Sequence, residues 1–246
     1  MPEGPSIIIL KEAVIQFRGK VILDAWGSGG ADTSQLVGRR IIDIRSLGKQ
    51  LFIMVRGATV RIHLLMFGTY SVNEQDRPDS RVRLALKFRN GSVYFYTCSV
   101  TNITGDPDDV LDWASDVMSD QWNPGAARKK LKSEGDELIS DALLDQDIFA
   151  GVGNIIKNEV LYRIRLHPET LVKEIPPRLI GLMMKETRKY CFEFLEQKKA
   201  GTLKKHWEAY TKKICRRCDL PFSKKYIGRT KRRTFYCENC QVYYYS

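Results

Sequence analysis

The 246-residue chain has no apolar run approaching ~18 residues, so no segment reads as a membrane-spanning helix. Its first residues lack a basic stretch followed by a long apolar core, so no secretory signal is expected. Cysteine is scarce. Of six, only Cys98 and Cys191 stand outside two Cys-x-x-Cys pairs, and both lie in apolar surroundings. Isolated cysteines of that kind read as buried, reduced thiols, which fits the bacterial cytoplasm, or the nucleus in a eukaryote. Acid is outnumbered: 29 Asp and Glu face 40 Lys and Arg, a net charge of +11. That balance is the electrostatic footprint of a polyanion binder. It is also uneven, with acids gathered between Asp106 and Asp120 and bases crowding the C-terminal end.

The first five residues, Met1-Pro2-Glu3-Gly4-Pro5, carry the sharpest chemistry. Proline in second place is small enough for removal of the initiator methionine, so the mature chain is expected to begin with the secondary amine of Pro2. An α-amino group titrates near ~7.7–8.0, against ~10.4 for lysine, so a useful fraction is a neutral nucleophile at neutral pH. Attack by such an amine on an aldehyde-like carbon gives an iminium, an electron sink that acidifies the adjacent C–H. Glu3 supplies a carboxyl to donate or take a proton. From Pro5 to about Arg18, Ile7, Leu10, Val14 and Phe17 recur at helical spacing, with Pro5 and Ser6 suited to a helix start. The positive end of that helix would lie beside the amine, favour its neutral form and attract phosphate.

Between about Val21 and Tyr96 the pattern becomes short β-rich runs punctuated by Gly48, Gly57 and Asn90-Gly91, which predicts a β-sandwich. Lys49 follows Gly48 just before one strand; His63 and Met66 lie at the end of another. Alone, each reads as solvated, core or rim. Residues 97–125 are polar and acidic and read as a passage to a second domain.

From about Asn123 the period is helical. Leu143 to Glu159 reads as helix, tight glycine turn at Gly151 and Gly153, and helix again, a turn whose backbone N–H groups can hold a phosphate oxygen with Asn154 adding a side-chain donor. It lacks the third glycine and preceding strand of a dinucleotide site. Pro176-Pro177 opens a further helix, with Leu179, Leu182, Met183, Tyr190, Phe194 and Leu195 expected on its buried side.

Cys215-x-x-Cys218 and Cys237-x-x-Cys240 enclose 18 residues, the spacing of a four-thiolate structural zinc site. Disulfides are the alternative, unsupported by any secretion signal. Four thiolates leave no open position, so one Zn²⁺ here folds the module without catalysing. Lys224, Lys225, Arg229, Lys231, Arg232 and Arg233 lie between the pairs, interleaved with Phe222, Tyr226, Phe235 and Tyr236, which suits a phosphate backbone.

Taken together, Met1-Pro2-Glu3-Gly4-Pro5, Gly48-Lys49-Gln50-Leu51, the run from Leu143 to Asn154 and the C-terminal cysteine module with Arg232-Arg233-Thr234-Phe235-Tyr236-Cys237 resemble the formamidopyrimidine-DNA glycosylase / endonuclease VIII family, in order and over essentially the whole chain. The resemblance implies an α+β fold: an N-terminal β-sandwich with a flanking helix over residues 1–115, a linker at 116–122, a helix–two-turn–helix domain at 123–210 and a zinc-finger hairpin at 211–246. It implies a bifunctional glycosylase and abasic-site lyase acting on double-stranded DNA with the lesion flipped out, as a monomer. Pro2 would be the nucleophile at the anomeric carbon and Glu3 the proton donor to the sugar ring oxygen. Lys49 would contact phosphate and act in β-elimination. Asn154 would hold the backbone, Arg232 would bind phosphate and support δ-elimination, and His63 and Met66 would belong to the intercalating strand end, Met66 as the wedge.

Two departures stand out. Ser6 replaces a common glutamate. Thr97-Cys98-Ser99-Val100-Thr101-Asn102 also stands where the oxidised-purine branch carries Arg-Arg-Phe. With Gly4 and a short stretch from Gln197 to Cys215, the latter favours oxidised pyrimidines. An oxidised-purine enzyme of the same family, a non-catalytic damaged-DNA binder and an RNA-binding zinc protein remain the alternatives.

Overall fold

A computed structural model describes residues 2–245; Met1, on whose removal the free amine of Pro2 depends, and Ser246 lie outside the described residues. The chain divides into two compact units, Met1–Asp112 and Trp113–Ser246.

In the first unit, α1 (Gly4–Val14) runs into a 3₁₀ turn at Ile15–Phe17. Ile7, Leu10, Val14 and Phe17 are all buried, as a helical stripe requires. Eight strands follow: β1 (Asp24–Trp26), β2 (Ile41–Leu47), β3 (Gln50–Val55), β4 (Ala58–His63), β5 (Thr69–Val72), β6 (Val82–Phe88), β7 (Gly91–Tyr96) and β8 (Ser99–Ile103). They pair antiparallel in two four-stranded sheets, ordered β1-β6-β7-β5 and β2-β3-β4-β8. Inward residues of both sheets, among them Ile53, Val60 and Ile62 from one and Leu84, Leu86 and Phe95 from the other, share one core with the α1 stripe. The expected sandwich with its flanking helix is therefore present. Each fully buried Leu or Ile contributes about 1.5–3 kcal/mol to holding it together.

The passage expected from residue 97 onward begins later. Ser99–Ile103 is an edge strand paired with β4; Val100 is in the core, and Asn102, two residues on and on the same face, is exposed near the strand's end. Edge strands tolerate polar residues on their outer face, and that polarity hid the strand. Cys98, just before it, is buried, and burial pushes its thiol up to about 12, as an inert structural cysteine requires. A short helix, α2 (Pro107–Val110), ends the unit.

The second unit comprises α3 (Pro124–Ser133), α4 (Ile139–Ala142), α5 (Asn154–Arg163), α6 (Pro177–Lys199), α7 (Leu203–His206) and a hairpin of β9 (Ser223–Ile227) and β10 (Arg232–Tyr236). Asn123 caps α3, its Oδ1 accepting from the Ala126 N–H at 3.0 Å. In α6, Met183, Tyr190, Phe194 and Leu195 are buried as expected, whereas Leu182 is 43% exposed. The inner stripe runs through Met183, Thr187, Tyr190 and Phe194, one residue past Leu182. Helix α5 is buried on every side from Asn154 to Tyr162. No helix among the described residues is long and apolar enough to cross a membrane.

Candidate functional site

Glu3 is the N-cap of α1, in extended conformation at φ −123° and ψ 174°, and its carbonyl accepts from the Ser6 N–H at 2.8 Å. It is fully buried, and Gly4, Pro5 and Ser6 beside it are buried too; Pro2 is half-buried. A carboxyl withdrawn from water at the positive end of a helix sits where proton exchange with a neighbouring reactant is controlled by the protein and not by solvent. Helix α1 packs against β2, β3 and β5.

Lys49 is carried on the turn between β2 and β3. Leu47 pairs with Gln50, so Gly48 and Lys49 form a two-residue loop, and Gly48 at φ +55° supplies the positive first angle of a II′ hairpin. The turn thus presents Lys49 beside the strands on which α1 rests. In the same cross-strand row, Gln50 faces His63, which faces Ser99. The His63 Nδ1 accepts from the Leu65 N–H at 3.0 Å, which places any imidazole proton on Nε2.

Beyond His63 the chain makes a turn closed by the Gly68 N–H donating to the Leu64 carbonyl at 2.7 Å. A Cβ at Gly68 would fall 2.2 Å from that oxygen, so glycine is required. Leu65 takes φ +54°, an angle that costs a non-glycine residue about 1–2 kcal/mol. Leu65, Met66 and Phe67 are 50%, 49% and 77% exposed, so three consecutive large apolar side chains stand in solvent. Met66 alone was expected there. The uninterrupted run Leu64-Leu65-Met66-Phe67 before Gly68 was the sequence signal for the other two.

His63 is held below its ordinary pKa, first by burial and then by Lys49 and Arg61. A folded-state pKa below the unfolded value of ~6.5 means that the unfolded chain binds more protons in the interval between the two. Stability of the first unit should therefore be complete above about pH 6.5 and fall as pH drops towards the folded-state value. Urea unfolding at about pH 7.5 and pH 5.5 should show this loss, and His63→Gln, which keeps an acceptor but no titrating proton, should shrink it; equal losses in both proteins would remove His63 as the cause.

In the second unit, the turn between α4 and α5 is filled by Gln146. Its amide donates to the carbonyls of Leu144 (2.6 Å) and Val152 (3.1 Å) and accepts from the Gly151 N–H (3.2 Å). The Val152 N–H is bonded to the Phe149 carbonyl. Two N–H groups expected to be available for phosphate are thus spent inside the turn. Asn154 is only 4% exposed, and its Nδ2 donates to the Arg233 carbonyl at 2.8 Å, so the side chain expected to reach phosphate ties α5 to the hairpin.

That tie is one of several. The edge of β10 turned away from β9 lies along α5. The Lys157 Nζ donates to Thr234 Oγ1 at 2.7 Å, and the Phe235 N–H donates to Asn158 Oδ1 at 2.6 Å. Asn154, Lys157 and Asn158 follow i, i+3, i+4 spacing, so one face of a buried helix serves a strand edge. Sequence reading missed this; three polar residues at helical spacing in an otherwise apolar segment were its trace. The hairpin's exposed side carries Lys224, Lys225, Arg229, Lys231 and Arg233 with Tyr226, and Arg232 is half-buried. Phe235 and Tyr236, expected among the aromatics interleaved with the bases, are both buried: they point to opposite faces of β10, Phe235 against Tyr210 (ring centroids 5.5 Å) and Tyr236 against His167 (4.6 Å), so both faces of the strand are covered there.

Cys215, Cys218, Cys237 and Cys240 bring their Sγ atoms within 4.8 Å of one another. Two of the separations are 3.4 Å (Cys218–Cys237) and 3.9 Å (Cys215–Cys240). A tetrahedral site with Zn–S bonds of about 2.3 Å has edges of about 3.8 Å, so the four thiols are spaced to hold one metal ion.

Two family models match the chain: the formamidopyrimidine-DNA glycosylase N-terminal domain over residues 1–99 and the formamidopyrimidine-DNA glycosylase H2TH domain over residues 113–205. Endonuclease 8-like 3 of Xenopus laevis is 29% identical over 241 residues, covering 94% of this chain and 39% of that protein. A formamidopyrimidine-DNA glycosylase of Carboxydothermus hydrogenoformans is 25% identical over 225 residues, covering 85% of this chain and 84% of the other. The chain thus spans about two fifths or less of the endonuclease 8-like 3 proteins it matches. Among solved structures, a viral DNA glycosylase shares the fold at TM-score 0.84 and 23% identity over 98% of this chain and 100% of that one. A Lactococcus lactis formamidopyrimidine-DNA glycosylase bound to abasic-site DNA shares it at TM-score 0.82 and 23% identity over 97% and 99%.

Proposed function

This chain belongs to the formamidopyrimidine-DNA glycosylase family, and from that premise we propose that it is a bifunctional DNA glycosylase and abasic-site lyase of base-excision repair. The observation that carries the reading is the fully buried Glu3 directly after Pro2 at the positive end of α1. The amine of Pro2 attacks the anomeric carbon of a damaged nucleotide. The C–N bond to the base breaks, with a proton reaching the departing base. Glu3 protonates the sugar ring oxygen as the ring opens, leaving an iminium. Loss of the acidified C2′ proton expels the 3′ phosphate by β-elimination, with Lys49 on its hairpin turn as the neighbouring cation; a second elimination releases the 5′ phosphate, supported by Arg232. No metal takes part in this sequence. The four cysteines would hold one structural Zn²⁺, and four thiolates would leave it no open position for substrate.

The target must leave the duplex to meet Pro2, which leaves a gap in the stack. Met66, flanked by Leu65 and Phe67 on the exposed turn after β4, fills it, and His63 anchors that turn through the Leu65 N–H. Asn154 serves DNA binding by fixing the strand that carries Arg232 and Arg233.

Oxidised pyrimidines are the favoured substrates. The oxidised-purine branch carries Arg-Arg-Phe after the strand matching β7, whereas here Thr97 at φ +52° and buried Cys98 turn the chain directly into β8. No long loop is left there for a second wedge. The test is incision of duplexes carrying one defined lesion each. Faster cutting of oxidised pyrimidines than of 8-oxoguanine is expected. The reverse order would move the chain to the purine-directed reading, and tight binding without incision of any lesion would make it a non-catalytic binder.

A further inference from the structure

The hairpin that carries Arg232 is gripped at its tip by a residue given no role so far. Asp141, in α4, is 6% exposed, and its carboxylate accepts from the Arg229 N–H (2.7 Å), the Thr230 N–H (3.3 Å) and the Thr230 hydroxyl (2.9 Å). No Lys or Arg pairs with it among the described residues, so its hydrogen-bonding capacity is spent on the tip. Gly228 opens the tip at φ +75°, and a Cβ there would sit 2.1 Å from the Asp141 carboxylate, so the backbone meets the anion at closest approach. Glu137, on the same side of the chain's turn into α4, pairs with the Arg229 guanidinium at 2.8 Å.

A buried carboxylate without a cation is an expensive way to hold a loop. An exposed polar cap would suffice if the loop needed only an end. What the arrangement adds is position. Arg232 lies between two fastenings: Asp141 holds residues 229 and 230 on one side, and Asn154 holds the Arg233 carbonyl on the other. We infer that Asp141 is a positioning residue for Arg232, fixing the tip so that the arginine is presented to the 5′ phosphate during δ-elimination. This rests on the function proposed above and extends it to a residue outside the reacting groups.

The experiment follows the full-length chain on a duplex with a single abasic site. Asp141→Asn keeps the side-chain size but turns an amide towards donors. It should lower the ratio of δ- to β-elimination product by on the order of tenfold while the rate of borohydride trapping stays within about twofold, and it should have no further effect in an Arg232→Ala background. Thr230→Ala, which removes the hydroxyl bond alone, should lower the ratio by about threefold and guards against a folding defect in the first variant. An unchanged ratio in both variants, or a trapping rate that falls in step with the ratio, would overturn the assignment. A wild-type chain inert on abasic DNA would sink the proposed function instead. Amide exchange at Arg229 and Thr230 reads the grip in either case: it should quicken in Asp141→Asn, and unchanged exchange there would overturn the assignment.

Discussion

Protein that begins at Pro2 will be captured covalently on abasic duplex DNA by borohydride, and its Pro2→Gly variant will be captured more slowly by on the order of 100-fold or more. Glycine leaves an amine in place, so the variant asks for the particular contribution of the secondary amine. That amine forms an iminium that carries a fixed positive charge, and its ring holds the nitrogen at one angle to the chain. Glu3→Gln should reduce trapping by a comparable factor, because the buried amide cannot release a proton to the opening sugar. Mass measurement of the captured species must show DNA attached to the first residue. Capture through a lysine, or undiminished capture by both variants, would dispose of the proline mechanism.

Removing the Zn²⁺ proposed for the four cysteines should be nearly as damaging to binding and harmless to the sandwich. Cys215 and Cys237 are fully buried, clustered with Tyr162 and Ala209, and the Tyr162 hydroxyl lies 3.3 Å from the Cys215 sulfur. Apparent zinc-binding energies of about 10–16 kcal/mol are known for small structural fingers, more than a whole domain's typical margin of about 5–15 kcal/mol. Chelation, or Cys215→Ser, should weaken binding to abasic duplex by on the order of 100-fold at moderate salt and flatten its salt dependence, because exposed cations on the hairpin lose their alignment. The first unit should keep its urea midpoint, since its core is complete within Met1–Asp112. Metal analysis should find one zinc per chain lost. Unchanged affinity in a demonstrably metal-free chain would refute the clamp.

Much of this was legible in the residues. The α1 stripe, the paired cysteines and the strands between Gly48, Gly57 and Gly91 each announce themselves by spacing, because a helix or strand face must repeat to be buried. Pro2 and Glu3 drew attention by their own chemistry, whereas Lys49 and Met66 read as solvated, core or rim until the family resemblance gave them the roles proposed above. What stayed hidden depends on who meets whom. The polar faces of β8 disguised an edge strand. Phe235 and Tyr236 looked like an aromatic contact surface, yet both faces of β10 are covered at that end, by Tyr210 and by His167. Asn154 looked like a ligand donor, yet its partner is a carbonyl 79 residues away. Asp141 likewise bonds residues 88 and 89 positions on, and no local pattern marks such a pairing.

Because α5 is enclosed by α6 on one flank and by the hairpin edge on another, it offers evolution no idle side on which to wander. A substitution anywhere along it trades an apolar packing partner or one of the hairpin's rivets, so relatives of this chain must change its residues in company with their neighbours or leave them alone.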